Sequence, residues 1–319
     1  MKVCIYGTVY NNAVYVEQSI KSVWRPDAEI VIVDSFSTDG TWEKLVELKK
    51  DFNLRLYRYK CSRGLGRHIA LTKCSEGSIT SYFDLDTIYN INFHRAIDAA
   101  ETHESIKYTR GLVIGREDAL KKGGWRDLNY AEDTEFTVRM NPKVFVPVEA
   151  GENACSNLHG VFREKRYEVG LDYVKRLLKA HRDYVMGTGF NCYDILYYRS
   201  KRLMILSPLL VPWIMKSYRL LRVMDNLSLE NALTLFKMRD PKELGMDDNF
   251  FFLNINYKLL KMIEGGERTV DSIVRKKFRG QLYKIKTSSR HFALMYVKNA
   301  LVLRYYPFVL PIIRRVETF

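Results

Sequence analysis

The hydrophobic pattern of the first half of the chain alternates between strand-like and helix-like segments. Apolar runs rich in β-branched residues predict strands at 2–10, 29–34, 54–60 and 79–83. Apolar residues spaced three and four apart predict helices between them, at 14–24, 41–48 and 66–73. This alternation predicts an α/β fold, in which a mostly parallel sheet carries helices on both faces.

The pattern becomes less regular between residues 93 and 148. The predicted elements here are a helix at 93–102, a strand at 109–116, a turn at 123–125, a helix at 132–139 and a strand at 143–148. Ligands of parallel sheets bind beyond the carboxyl ends of the strands. Functional residues are therefore expected where predicted strands end.

The second half is different, and we expect a domain boundary near residue 165. Residues 1–165 form the predicted sheet domain, and residues 166–319 read as long helical stretches rich in Tyr, Leu, Lys and Arg. Two uncharged segments, Leu203–Met215 and Tyr305–Ile313, each contain two prolines. Both are shorter than the roughly 20 residues of a spanning helix, so we predict no transmembrane helix. They fit either apolar wedges on a bilayer surface or the core of a helical subdomain.

Charge separates the two halves as well. The net charge is +14, yet residues 1–165 hold 23 basic and 23 acidic residues, while residues 166–319 hold the remaining 28 and 14. A neutral half joined to a basic half predicts chemistry in the first and docking on an anionic surface in the second. The alternative is a well-solvated helical surface.

Five cysteines occur, with no CxxC pair. An odd count without such a pair argues against a disulfide framework and a cysteine zinc site, and favours a reducing compartment. The N-terminus enters a strand pattern directly, which differs from a signal peptide. We expect a cytoplasmic protein with peripheral contact at the cytoplasmic face of the membrane.

Two carboxylates follow the strand at 79–83. Asp84 and Asp86 lie on the same side of an extended chain, because side chains alternate along a strand. Like charges at this spacing repel unless a cation lies between them. Hard oxygen ligands suit Mg²⁺ or Mn²⁺. An isolated Asp-x-Asp is weak evidence, since two surface aspartates in a turn are common.

Asp34 ends the strand at 29–34, and Ser37-Thr38-Asp39-Gly40 follows it. The residues at 37–39 are suited to capping the next helix. Capping does not explain Asp34, whose carboxylate is available to accept hydrogen bonds from a nucleoside base or ribose.

A glycine- and arginine-containing segment, Ser62 to His68, leads into the helix predicted at 66–73. Its two glycines allow close approach of backbone to a ligand, and Arg63 and Arg67 are suited to pairing with a diphosphate. The alternative is a basic turn before a helix.

Taken in order, these motifs resemble those of the family 2 glycosyltransferases, which have a nucleotide-sugar-binding GT-A fold. That family opens with a strand ending in a Thr-x-Tyr-Asn-like stretch, here Thr8-Val9-Tyr10-Asn11. A Val-Asp-x-x-Ser-Thr-Asp-Gly-Thr stretch follows, here residues 33–41. A Gly-rich, Arg-containing segment comes next, here residues 64–67, with His68 where Asn is commoner.

The last two motifs of the family lie further along the chain. Its metal-binding Asp-x-Asp corresponds to Asp84-Leu85-Asp86, and its Gly-Gly-Phe/Trp turn before a Glu-Asp pair corresponds to Gly123-Gly124-Trp125 and Glu132-Asp133. The resemblance covers about half of the chain and does not extend into the tail.

The resemblance implies a role for each matching residue. Mn²⁺ or Mg²⁺ would join Asp86 and Asp84 to the diphosphate of a nucleotide sugar, and His159 is a further candidate ligand of the metal or the phosphates. The other residues implied to bind the nucleotide sugar are Thr8, Tyr10, Asn11, Asp34, Arg63, Arg67 and Glu132. Asp133 would be the catalytic base that deprotonates an acceptor hydroxyl.

The function expected from these residues is inverting, metal-dependent transfer of a sugar from a UDP- or GDP-sugar to an acceptor hydroxyl or a lipid phosphate. The basic half points to a lipid-linked or glycan acceptor near a membrane. One alternative is a nucleotidyltransferase acting on sugar phosphates, although the loop after the first strand lacks the glycines and cations of that class. The other is a non-catalytic protein that binds membrane or nucleic acid, but no nucleic-acid motif occurs and we do not expect nucleic acid as a partner.

Overall fold

A computed structural model of the chain provides the structure. It describes residues 2–154, 171–188, 237–255, 264–278, 280–288, 294–299 and 310–319, together with single or paired positions at 208, 211–212, 215–216, 260 and 303.

Within these residues, the first part of the chain forms a seven-stranded sheet and a two-stranded ribbon. The strands are β1 Val3–Val9, β2 Ala28–Asp34, β3 Leu54–Arg58, β4 Ile79–Tyr82, β5 Thr87–Tyr89, β6 Ser105–Tyr108, β7 Gly111–Gly115, β8 Val144–Val146 and β9 Gly151–Asn153. The sheet order is β3-β2-β1-β4-β7-β6-β8, and β7 alone among these seven runs antiparallel to its neighbours. Strands β5 and β9 form the ribbon. The mostly parallel sheet is therefore confirmed.

Helices cover both faces of this sheet. They are α1 Val16–Val23, α2 Thr41–Leu48, α3 Arg63–Lys73, α4 Ile91–His103, α5 Arg116–Lys121, α6 Glu132–Met140 and α7 Leu171–Thr188. One core contains apolar residues of α1, α2 and α4, and the other contains residues of α3, α5 and α6. Strand β1 contributes to both cores, with Ile5 in the first and Tyr6 in the second. This is because successive side chains of a strand point to opposite faces of the sheet.

Parallel pairing brings the carboxyl ends of the central strands to one edge of the sheet. Val9 at the end of β1 is paired with Asp34 at the end of β2, and Tyr6 is paired with Tyr82 at the end of β4. The loops after these three strands contain Tyr10-Asn11, the residues at 35–40 and Asp84-Leu85-Asp86, so one edge of the sheet collects these three motifs.

The described part of the second half contains helices and also an antiparallel sheet, which the sequence-based reading as long helical stretches did not predict. A four-stranded antiparallel sheet is formed by β10 Phe252–Ile255, β11 Tyr283–Thr287, β12 Leu294–Val297 and β13 Ile313–Thr318, in the order β10-β12-β11-β13. Helix α8, Glu267–Lys277, packs on it through Val270 and Val274. The lysines of β11 alternate with apolar residues, and this period-2 pattern was misread because basic residues also favour helices.

The two apolar segments of the second half fall mainly outside the described residues. Of the first, Pro208, Val211, Pro212 and Met215 are described, and all four are exposed. Of the second, Leu310–Ile312 form a 3₁₀ turn and Ile313 begins β13. Neither a lipid contact nor a buried core is established for these segments, and the boundary near residue 165 stays a prediction. None of the helices in the described part of the chain has the length and apolar character needed to cross a bilayer.

The second sheet is attached to the first through β8 and the residues after it. Phe145 of β8 packs in the same apolar cluster as Phe251 and Leu253. The Phe252 amide donates to the Pro147 carbonyl at 2.9 Å, and the Asp247 amide donates to the Asn92 side chain at 2.6 Å. The basic half is therefore bound to the sheet domain by apolar packing and by backbone hydrogen bonds.

A disulfide joins Cys4 of β1 to Cys74, the residue that follows α3, with their Cα atoms 5.8 Å apart. This bond runs counter to the argument against a disulfide framework, and the cysteines no longer favour a reducing compartment. The odd count and missing CxxC pair were poor guides, because the two partners are 70 residues apart and meet only when α3 packs on the sheet.

We expect the Cys4–Cys74 bond to contribute about 4 kcal/mol to the free energy of unfolding, because it closes a loop of 70 residues in the unfolded chain. Non-reducing peptide mapping should recover the two cysteines in one linked peptide. Urea unfolding of Cys74→Ser should show the loss, with Cys61→Ser as control because Cys61 is a free thiol. Equal stability of Cys74→Ser and the wild type would contradict this prediction.

Candidate active site

The Asp84-Leu85-Asp86 loop lies between β4 and β5 and is fixed by its backbone. Leu85 is buried in the first core, so the two flanking aspartates are turned from it. The Asn12 side-chain amide donates to the Leu85 carbonyl at 2.5 Å, and the Ser19 hydroxyl donates to the Asp84 carbonyl at 3.1 Å. The Tyr89 hydroxyl accepts from the Asp84 amide at 2.8 Å. Three side chains therefore hold the loop and leave its two carboxylates to other partners.

Arg67 is the centre of the site. Its side chain is 2% exposed, and its guanidinium lies 4.8 Å from the ring centre of Tyr82 and 4.7 Å from that of Trp125. It donates to Asp84 and, at 3.2 Å, to Glu132. One buried cation thus bonds the carboxylate after β4 and the first residue of α6.

The two carboxylates on Arg67 differ in their surroundings. Partial burial tends to raise the pKa of Asp84, but the charges of Arg67 and Arg63 and the bond from Arg67 hold that pKa below its usual range. Burial raises the pKa of Glu132, and the two arginines do not offset it. The Asp84 side chain is 45% exposed and that of Glu132 only 4%. Arg67 therefore pairs most strongly with Asp84, on the open side of the site.

Arg63 supplies a second, more accessible cation. It donates to Glu132 at 3.3 Å, and its side chain remains 54% exposed. Partial burial tends to lower the pKa of Arg63, but Glu132, Asp84 and Asp86 raise it, so this guanidinium lies within the field of both aspartates of the loop. A half-exposed arginine in this position is suited to an incoming phosphate.

Asp133 lies next to this cluster at the first turn of α6. Its side chain is exposed, and its carboxylate accepts from the Thr134 amide at 2.7 Å. It also raises the pKa of Arg67, after the larger effects of burial, Asp84 and Glu132, so it lies within electrostatic range of that arginine. Asp133 is thus the exposed acid of the pair at 132–133.

The turn before α6 places these acids. Gly123 and Gly124 have φ of 91° and 58°, and a Cβ on Gly124 would lie 2.3 Å from His68. Trp125 then stacks on Phe136 of α6 with ring centres 3.9 Å apart and donates to the Tyr6 hydroxyl at 2.9 Å. Glycine is required for the turn, and the tryptophan joins α6 to Arg67 and to β1.

The glycines of α3 serve the protein rather than a ligand, which corrects the expectation from the sequence. A Cβ on Gly64 would lie 2.0 Å from the Arg126 carbonyl oxygen, and one on Gly66 would lie 2.3 Å from the Thr8 hydroxyl. The Gly64 amide also donates to the Leu128 carbonyl at 2.8 Å. These close approaches seat the N-terminus of α3 against residues 126–128 and against β1, which positions its two arginines.

Asp34 is fully buried at the end of β2. Its carboxylate accepts from the Ser37 amide at 3.1 Å and from Arg58 at 2.9 Å. Arg58 also donates to the Ser37 carbonyl at 2.9 Å. Asp34 therefore shapes the loop at 35–38, and its carboxylate reaches a nucleoside only if one of these bonds is exchanged.

The loop after β1 lies against the loop after β2. The Asn11 amide donates to the Ser37 hydroxyl at 2.9 Å, and the Asn11 side chain accepts from the Thr38 amide at 3.0 Å. Thr8 donates to the Val33 carbonyl at 3.0 Å, whereas the Tyr10 side chain is exposed. The structure thus brings Thr8, Tyr10 and Asn11 to the rim that Asp34 supports.

Phe36 stands out in this loop, because it has φ of 57° and is 50% exposed. The left-handed conformation costs a residue with a side chain about 1–2 kcal/mol. Its ring lies 5.1 Å from the Arg58 guanidinium, and such a contact at an exposed site contributes about 0.5–1 kcal/mol. The stabilisation from this contact is therefore smaller than the cost of the left-handed backbone conformation.

Residues 4–146 match the family model described as Glycosyl transferase family 2. This part of the chain is a family 2 glycosyltransferase domain. The motifs that suggested the family lie inside the matched residues, and the GT-A fold predicted from them agrees with the mostly parallel sheet. No curated protein sequence matches the chain.

Solved structures also resemble the chain at low identity. S. aureus TarS 1–349 in complex with UDP-GlcNAc is 14% identical, covers 92% of this chain and 96% of its own, and has a TM-score of 0.46. The mannosyltransferase PcManGT from Pyrobaculum calidifontis, in complex with GDP-Man and Mn²⁺, is 17% identical, covers 72% and 75%, and has a TM-score of 0.41.

The glycosyltransferase domain offers a cation two carboxylates, those of Asp84 and Asp86. Within the residues that the structure describes, no three His, Cys, Asp or Glu side chains are grouped for a metal. His159 lies outside these residues. Hard carboxylate oxygens fit Mg²⁺ or Mn²⁺, and such ions often take the rest of their ligands from water and phosphate. The arrangement therefore fits a cation shared with a diphosphate.

Several residues that build the glycosyltransferase site were missed in the sequence. They are Asn12, Ser19, Arg58, Tyr82 and Tyr89. Local pattern gives no signal for Ser19, Tyr82 or Tyr89, because each acts through a side-chain contact that only the folded chain forms: Ser19 and Tyr89 bond Asp84, and the Tyr82 ring lies against Arg67. Asn12 had a weak signal, because it adjoins the Thr-x-Tyr-Asn stretch, and Arg58 ends the third strand beside Asp34.

We expect Arg67→Met to lower the free energy of unfolding by about 3–5 kcal/mol, because it leaves Glu132 buried without its main cation. The double variant Arg67→Met with Glu132→Gln should recover about 1 kcal/mol or more, since the buried charge is gone as well. Urea unfolding of the four proteins of the cycle measures both effects.

Arg315→Met is the matched control, because the Arg315 side chain is 70% exposed beside Glu317 and such pairs contribute about 1 kcal/mol or less. The role given to Arg67 is wrong if its replacement costs no more than that of Arg315.

Proposed function

We propose that the protein transfers a sugar from a nucleoside diphosphate sugar to an acceptor, with inversion at the sugar and with a divalent cation. One observation carries the proposal. The Arg67 guanidinium bonds both Asp84 of the Asp-x-Asp loop and Glu132 at the start of α6. The loop that would hold the leaving diphosphate and the helix start that carries Asp133 are thereby kept close together, and group transfer requires reacting groups to be held in position.

The donor would lie along the edge formed by the ends of β1, β2 and β4. The rim of Thr8, Tyr10 and Asn11, supported by Asp34, would hold the nucleoside. Arg63 is half exposed beside the Asp84 loop and would pair with the phosphates, while the buried Arg67 would keep Asp84 in place.

Asp84 and Asp86 would hold Mg²⁺ or Mn²⁺ against the diphosphate. When bound, the cation would supply charge neutralisation for the departing phosphate. The protein's own part is to keep the two carboxylates in position. Asn12 and Ser19 do so through the loop backbone, and the Ala154 amide donates to the Asp86 carbonyl at 2.8 Å.

Asp133 would be the general base. Inversion requires a base on the side of the sugar opposite the leaving phosphate. The Asp133 carboxylate is exposed at the start of α6, which the Arg67–Glu132 bond joins to the Asp84 loop. It would face the sugar from the side opposite the diphosphate. It would take the proton of an acceptor hydroxyl as that oxygen attacks the sugar, whereas a phosphate acceptor would need less help.

The basic half would dock the enzyme beside its acceptor. Residues 166–319 hold 28 basic and 14 acidic residues, and exposed cations lie on α8 and β13, among them Arg275, Lys276 and Arg315. Such a surface favours a lipid-linked or glycan acceptor at an anionic membrane surface, and we propose peripheral contact there.

We expect Asp133→Asn to lower kcat for a hydroxyl acceptor roughly 100-fold to 10,000-fold, the range of general base catalysis. The amide keeps the size of the carboxylate but does not take a proton. The measurement is release of UDP or GDP from nucleotide sugars with Mn²⁺ present. Asp118→Asn is the control, because Asp118 is an exposed acid at the start of another helix, α5. Full activity of Asp133→Asn with a hydroxyl acceptor would exclude this base.

We expect chelation with EDTA to abolish activity and Mn²⁺ or Mg²⁺ to restore it. Asp86→Asn should raise the concentration of cation needed for half-maximal rate by about 10-fold or more, because one anionic ligand becomes neutral. Unchanged cation dependence in this variant would remove Asp86 from the site.

The released product separates two reactions, since free nucleoside diphosphate indicates glycosyl transfer and pyrophosphate indicates nucleotidyl transfer.

A further inference from the structure

Phe36 has a backbone conformation that its residue type does not favour. It follows the carboxyl end of β2 by two residues and has φ of 57°, a region that glycine, asparagine and aspartate enter far more readily. Half of its surface is exposed. A strained backbone that also holds a large apolar ring in solvent calls for a reason in its surroundings.

The contacts of the ring do not supply that reason. Its neighbour is the Arg58 guanidinium, which lies equally close, at 5.1 Å, to the ring of Trp42. Arg58 also donates to Asp34 and to the Ser37 carbonyl, each at 2.9 Å. Its position is therefore fixed without Phe36, and the contact with the ring is weaker than the strain that accompanies it. Strain of this kind is commonly retained at functional sites.

The location of the ring indicates its use. The Asn11 amide and side chain bond Ser37 and Thr38, so the Phe36 loop is held beside the loop of Tyr10. Each of the two aromatic residues is the chain neighbour of a residue in the Asn11–Ser37 pair. Tyr10 is 62% exposed and Phe36 50%, and both lie on the rim where the nucleoside of the donor would bind.

We infer that the Phe36 ring is a stacking surface for the nucleoside base of the donor, a role that rests on the proposed function. Every base presents a flat π-face, and base–aromatic stacking is a strong and sequence-tolerant contact. The left-handed backbone would aim the ring outward, where a base replaces solvent on its open face. Arg58 would support the ring from behind.

The test is binding of UDP and of GDP, measured by calorimetry on the full chain with Mn²⁺, for the wild type and for Phe36→Gly, Phe36→Tyr and Trp24→Leu. Phe36→Gly should bind whichever nucleotide the wild type prefers about 5-fold to 150-fold more weakly, the range for loss of one stacked base. It should unfold at the same temperature as the wild type or higher, because glycine relieves the strain. Phe36→Tyr should retain affinity within about 2-fold, since it keeps the ring.

Trp24→Leu is the matched control, because Trp24 is 42% exposed, lies after α1 and packs on Phe52. Its affinity should equal that of the wild type. The inference is overturned if Phe36→Gly binds UDP and GDP as tightly as the wild type, or if Phe36→Tyr is as weak as Phe36→Gly. A wild type that binds neither nucleotide would overturn the proposed function, and this role with it.

Discussion

The site depends on one buried guanidinium. Arg67 has almost no exposed surface, yet it carries a full charge between two aromatic rings and two carboxylates. A buried charge is stable only when it is paired, so Asp84 and Glu132 cannot move from it independently. The ion pairs thus fix the distance between the loop after β4 and the start of α6, and every role assigned to the acids of the site follows from that distance.

The fold converts this local requirement into a shared edge. Parallel strands end on the same side of a sheet, and β1, β2 and β4 deliver the loops of Asn11, Asp34 and Asp84 there. Several polar side chains in these loops bond one another, as Asn11 does with Ser37 and Thr38. The Asp34 carboxylate likewise accepts hydrogen bonds from Ser37 and Arg58. The sheet thus presents a prearranged rim, and few groups on it remain open to a ligand.

The sequence was sufficient for most of the sheet domain and for part of the site. The bounds of α2 agree with the prediction, and those of β2 and β4 differ from it by a residue, because strong apolar periodicity and turn residues mark them. Short strands such as β5, β6 and β9 gave no comparable signal. The antiparallel sheet of the second half was missed, since alternation in β11 was masked by its lysines.

In the site, too, some features could be predicted from the sequence and others could not. Motif residues such as Asp84 and Glu132 are readable because their spacing is local. The partnership of Arg67 with both is not readable, since it depends on how α3 packs against β4 and α6. Gly64 and Gly66 were assigned to a ligand, yet they meet the chain itself. Spacing indicates which residues carry chemistry, whereas three-dimensional packing decides which of them touch.

Helix α3 is anchored at both of its ends. Its first turn is seated on the carbonyls of Arg126 and Leu128, and the residue after its last turn is covalently joined to β1 through Cys74 and Cys4. A helix attached at both ends cannot slide or tilt unless the Gly64 contacts or the disulfide are broken. Any closing movement during turnover must then be made by the loops that face this helix, because α3 forms a fixed side of the cleft.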